Sequence, residues 1–161
     1  MRAQELRRRV ISAAALSAVL LVVGVGAQMP KGLEGTWKLN AAKSKFSPGP
    51  APKSMTLTYT AAADAVKIVV QQVTADGATQ KWEMTPKYDG KDYPVTGNPE
   101  ADAIALGKVD GLKSQSTFKK GGKTVAENVR TLSADGKTLT IEMKGTDAQG
   151  RAVHNIQVFE R

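Results

Sequence analysis

The sequence predicts an all-β domain: an antiparallel up-and-down barrel of eight to ten strands, with a two-layer β-sandwich as the alternative arrangement. Three observations lead there. Turn dipeptides recur as Asp76-Gly77, Asp89-Gly90, Asp110-Gly111, Gly121-Gly122, Asp135-Gly136 and Gln149-Gly150. Glycine supplies the positive φ that tight hairpins need, and aspartate tolerates the neighbouring left-handed region. The intervals between these turns run to about ten residues, the strand-and-turn spacing of a meander. Inside the intervals apolar and polar residues alternate, and no segment sustains a helical period.

Residues 1–27 stand apart from that domain. "MRAQELRRR" is a basic opening and "VISAAALSAVLLVVGVGA" a continuous apolar run, which is the layout of an export signal. The run ends in Val25-Gly26-Ala27, small residues suited to peptidase cleavage, so a cut after Ala27 is expected and residues 28–161 form the single domain. An uncleaved anchor is the alternative; the run is about 18 residues, the lower edge of a spanning length. With cleavage no membrane span remains, and the expected location is periplasmic or secreted. The chain has no cysteine, so neither a lipid anchor, a disulfide nor a thiolate nucleophile is available.

The strands follow in order. Residues 35–40 open the series. In 54–60, Met55, Leu57 and Tyr59 share one face against serine and threonines on the other; residues 66–74 come next. In 81–85, Trp82 and Met84 face inward. Residues 104–109, 112–119 and 123–132 precede 137–144, where Leu139, Ile141 and Met143 oppose threonines, Glu142 and Lys144. Residues 153–160 close a set of about nine. In that last strand Val153, Gln157 and Phe159 compete with Ile156 and Val158 for the interior. Closure into a barrel removes exposed edges, which puts it ahead of the sandwich.

Two stretches break the rhythm. Residues 41–53, "AAKSKFSPGPAPK", hold three prolines and are expected to run extended over the surface, laying Phe46 across one barrel end. Residues 88–102, "YDGKDYPVTGNPEAD", are the longest stretch without clean alternation. Loops of this length are often functional rims; a covered barrel mouth with packed tyrosines is the other reading.

Composition narrows the chemistry. The formal charge of +8 falls to +5 without the four arginines and one glutamate of residues 1–27. Eight aromatics do not interleave with the basic residues as stacking platforms would need, so no nucleic-acid role is expected. Weak attraction to acidic envelope polymers is the most the charge implies. His154 is the only histidine, so neither a nucleophile–base pair nor a histidine-rich metal site is available. The turn aspartates are explained by turn propensity. No enzyme, metal or cofactor is expected.

"GTWKLN" at residues 35–40, the hairpin series and a last strand reading "NIQVFER" together resemble a calycin, the group of lipocalins and fatty-acid-binding proteins. The combination with "FSPGPAPKS" and "YDGKDYPVTGNP" is also similar to small exported bacterial proteins without an assigned activity. The resemblance implies that Gly35 and Trp37 close one barrel end, with a cation stacked on the indole from Arg130 or Arg161. It also implies an internal ligand. The last strand of fatty-acid-binding proteins typically carries an inward Arg-x-Tyr pair, and here Gln157 and Phe159 stand in those places. The expected ligand is therefore small, mostly apolar and uncharged, with Trp82, Tyr88, Tyr93, Asn98, Gln157 and Phe159 as candidate rim or interior residues. A filled barrel serving as an envelope interaction module is the alternative function.

Overall fold

A computed structural model describes residues 29–161. The leader and the cleavage point after Ala27 lie outside the described residues. Among those described, no helix is long and apolar enough to cross a membrane.

The described residues hold ten strands: β1 Gly35–Leu39, β2 Ser54–Ala62, β3 Ala65–Val73, β4 Thr79–Met84, β5 Asp92–Thr96, β6 Ala103–Lys108, β7 Lys113–Lys120, β8 Lys123–Leu132, β9 Thr138–Thr146 and β10 Ala152–Glu160. Each pairs antiparallel with the next, and β1 also pairs with β10, so the sheet is a closed barrel and the sandwich does not occur. One short 3-10 turn, Ala41–Lys43, follows β1. The strand that alternation misses is β5, inside the stretch read as a continuous loop. It is only five residues long and joins β4 through Glu83↔Thr96 and Met84↔Val95 alone, too short to display a period.

The turns behave as their dipeptides require. Asp110 Oδ1 accepts from the Leu112 and Lys113 amides, each at 2.8 Å, and Asp135 Oδ1 from Lys137 N at 3.1 Å and the Ser133 hydroxyl at 2.6 Å. These bonds hold both carboxyls below their ordinary range. Connections β2–β3, β4–β5, β6–β7 and β8–β9 lie at one end, and the other four plus residues 40–53 lie at the opposite end.

Side chains fill the first end. Leu33, Trp37, Val66, Ile104, Leu106, Leu132, Leu139 and Phe159 are all buried there or in the adjoining core. In β10 the odd residues face inward, which settles the competition: Gln157 and Phe159 are buried while Ile156 and Val158 are only partly so.

At the other end β8 carries an irregularity. The β7–β8 register slips between Phe118 and Lys119, leaving Val125 as the extra residue. The bulged backbone leans on β9 at Gly145, where an added Cβ would collide with the Val125 carbonyl oxygen and lie 2.9 Å from Ala126 Cα. Gly145→Ala is expected to destabilise the fold by about 1–3 kcal/mol, the ordinary cost of overpacking, read as a lower urea midpoint at unchanged slope.

Candidate functional site

The closed end is built first by β1. Trp37 is fully buried and donates Nε1–H to the Leu33 carbonyl at 2.8 Å. The Arg161 guanidinium carbon lies 4.5 Å from the indole centroid. The same guanidinium donates to the Glu34 and Gly32 carbonyls at 2.9 Å each. Gly35 sits at φ +122°, a backbone conformation side chains rarely adopt, and a Cβ there would meet Arg161 Nη1 at 3.5 Å. A cation over an indole contributes about 0.5–2 kcal/mol. Arg161, not Arg130, is the stacked residue.

Arg130 lies elsewhere. Above the closed end the barrel encloses a cavity of about 670 Å³, whose lining includes Arg130. Its apolar wall comes from β2, β3 and β4 through Met55, Leu57, Ile68, Val70, Trp82 and Met84, with Ile141 and Met143 from β9. Asn128 and Arg130 from β8, Asn155 and Gln157 from β10, and Gln72 and Gln80 from β3 and β4 add polar groups to the lining. The interior is therefore amphipathic.

Arg130 is only 5% exposed. Nη1 donates to the Ser116 hydroxyl at 2.9 Å. Its Nε has no hydrogen-bond partner, and neither does Asn128 Oδ1, two residues along the same inward face. Among the described residues no carboxylate forms an ion pair with Arg130. Arginine is a permanent cation, and an isolated buried charge costs the folded state several kcal/mol. The expectation of an uncharged ligand rested on the missing cation at Gln157 and Phe159; β8 supplies a cation that the last strand lacks.

The candidate residues divide. Trp82, Asn98 and Gln157 line the cavity. Phe159 does not; it is fully buried in the closed-end core. Tyr88 and Tyr93 are not at the mouth, because the chain between them runs at the closed end before β5 carries it upward. Tyr93 donates its hydroxyl to Asp89 Oδ2 at 2.8 Å. Tyr88 is buried beneath the cavity, and burial pushes its phenol up to about 12, although the Arg130 cation and a hydrogen bond with Ser114 act the other way. Only residues 98–101 of the long stretch reach the cavity lining.

Tyr88 has a pH consequence. Below pH 10 the phenol is protonated in folded and unfolded chains alike, and its contribution is complete. From pH 10 to 12 the unfolded phenol ionises first, so up to about 2–3 kcal/mol of stability is lost. Tyr88→Phe is expected to lose less stability than wild type across that window in urea titrations.

The remaining polar clusters have local partners. His154 Nε2 lies 2.9 Å from Glu142 Oε1 on the exposed face. Asp92 pairs with Lys119 at 2.8 Å, and Asp102 accepts from the Gly121 amide at 2.9 Å. Among the described residues no three metal-ligating side chains gather.

At the mouth, Phe46, Pro48, Pro50 and Pro52 line the cavity, so the proline-rich segment crosses one barrel end as expected.

No protein-family model matches the chain, and no curated protein matches it. Solved structures similar to it include a zebrafish ileal bile acid-binding protein complexed with cholic acid, 12% identical at a TM-score of 0.48, covering 81% of this chain and 98% of that one. A redesigned β-barrel, mFAP1, bound to DFHBI is 13% identical at a TM-score of 0.44, covering 84% and 100%. The siderocalin Ex-FABP, described as functioning through dual ligand specificities, is 14% identical at a TM-score of 0.38, covering 81% and 74%. None of them assigns a ligand to this chain.

Proposed function

We propose that this chain is an exported, non-enzymatic binding protein whose barrel carries a small amphipathic molecule, with an apolar body and a head group that is anionic or a strong hydrogen-bond acceptor. The apolar body lies against the β2–β4 wall, where Trp82 is half-buried. The head group faces Arg130. The observation that carries this reading is the Arg130 guanidinium, buried on the cavity wall with no carboxylate paired to it among the described residues. A charge that costs the folded state so much needs a purpose, and supplying the counter-charge for a guest is one the geometry supports. The cavity volume falls within the common range for small-molecule sites, about 300–1,000 Å³. A cavity of about 670 Å³ also weakens the filled-barrel alternative. Export rests on the basic and apolar pattern of residues 1–27.

The test is to purify the protein from the envelope fraction of its own host, extract it with organic solvent and compare the mass spectrum with a mock purification. About one acid-bearing or acceptor-bearing apolar species per protein is the expected result. An empty extract, together with tryptophan emission unmoved by a panel of amphiphiles, would sink the reading.

A further inference from the structure

We infer that molecules pass into the barrel beneath the segment 46–52, and that Asn155 is the side-chain catch at the hinge of this segment; the inference rests on the reading of the cavity as a binding compartment. The closed end offers no passage, being stoppered by Trp37 and capped by Arg161. Every strand pairs with both neighbours, the shortest seams being the two residue pairs between β4 and β5 and the two between β1 and β10. That leaves the mouth.

Four hairpin connections and one strap cross or flank it, and their hydrogen bonding differs. The β3–β4 turn is tied by Thr74 N to Ala78 O at 2.9 Å, and the β9–β10 turn by Asp147 N to Arg151 O at 3.0 Å. The β5–β6 and β7–β8 connections are fastened by Val95 N to Asp102 O and by Gly121 N to Asp102 Oδ2, each at 2.9 Å.

The strap begins equally well fixed. Asn40 N donates to Val158 O, Lys45 and Ile156 exchange both backbone bonds, and His154 N donates to Ser47 O, all at 2.8 Å. Beyond Ser47 the bonding stops. From Pro48 to Lys53 no hydrogen bond joins the chain to another described residue until β2 opens at Ser54. Three of those six residues are prolines without an N–H to donate.

Two ties at Ser47 precede that free stretch: its carbonyl accepts from His154 N at 2.8 Å, and its amide donates to Asn155 Oδ1 at 3.0 Å. Asn155 also lines the cavity, so its side chain joins the strap to the compartment beneath it. Pro48 to Pro52 form a hydrophobic cover hinged at Ser47 and at β2, and breaking the Asn155 bond leaves the Ser47 hinge on the His154 bond alone. A guest crossing the mouth meets Asn155 and competes for it.

Two readouts test the catch, one without any ligand. Acrylamide quenching of tryptophan emission reports access to Trp82, since Trp37 is fully buried. Asn155→Ala is expected to raise the quenching constant roughly twofold to tenfold, the worth of one net hydrogen bond. Asn155→Asp keeps the acceptor and is expected to return it to the wild-type value. Phe46→Ala removes the cover without touching the catch and is expected to raise quenching too. With anilinonaphthalene sulfonate as the probe, stopped-flow mixing of Asn155→Ala should show association and dissociation both accelerated.

Unchanged quenching in both Asn155→Ala and Phe46→Ala overturns the inference. So does a weaker probe affinity at an unchanged association rate, which would make Asn155 a wall contact only. Faster quenching in a protein that binds no amphiphile leaves the gate standing and removes the binding reading.

Discussion

Arg130→Met is expected to raise the stability of the ligand-free protein while weakening its hold on an acidic amphiphile by roughly 30- to 5,000-fold. The two effects have one cause. Wild type maintains a 5%-exposed guanidinium with a single hydrogen bond to Ser116 and an unpaired Nε. Methionine fills similar space without a charge to desolvate, and replacing buried charge with apolar side chains commonly stabilises by about 1–4 kcal/mol. The same change removes the buried Arg130 cation from the cavity wall, and losing one partner of a desolvated charge pair costs about 2–5 kcal/mol of binding. Urea denaturation gives the first number and a fluorescence titration the second. A variant that loses stability and keeps its affinity would make Arg130 a structural residue.

Trp37→Ala is expected to cost about 3–5 kcal/mol of folding stability, the usual penalty for emptying a wholly buried tryptophan site. It removes the indole core, the bond to Leu33 O and the surface on which Arg161 rests. Losing Arg161 alone removes the stacking and its two carbonyl contacts, and exposure to solvent limits their value, so Arg161→Leu is expected to cost less. Urea unfolding of the two variants side by side checks the order. Equal losses would mean that the cation, and not the indole, stoppers the barrel.

Where hydrophobic alternation is strict, the sequence states the fold openly. Met55, Leu57 and Tyr59, then Trp82 and Met84, then Leu139, Ile141 and Met143 all face inward as their spacing requires. The half of the barrel that holds the chemistry is harder to read, because its interior is polar. In "VAENVRTL" the valines Val125 and Val129 look like the core set, yet Val129 is 43% exposed and Arg130 is buried. Parity held the answer: Leu132 shares its face with Asn128 and Arg130, while Glu127 shares its face with Val129. The bulge at Val125 brings that valine into the cavity lining and hides the switch. In β7 the inward set opens with Ser114 and Ser116, which read as solvent-facing.

The same reason hides from the sequence which end of the barrel holds Tyr88 and Tyr93. Without a visible strand at Asp92–Thr96, nothing in the sequence shows that the chain crosses the barrel between Tyr93 and Asn98. Arg130 and Arg161 are likewise equivalent candidates in the sequence, and it is the register that sets one inside and the other over Trp37.

The most direct test of an amphipathic compartment with a cationic wall is a calorimetric comparison of dodecanoate with dodecanol, two chains of equal length that differ in the head group, on wild-type protein at pH 8. The account requires the carboxylate to bind at least about tenfold tighter than the alcohol, a difference of about 1.4 kcal/mol. Equal or weaker binding of the carboxylate would contradict it.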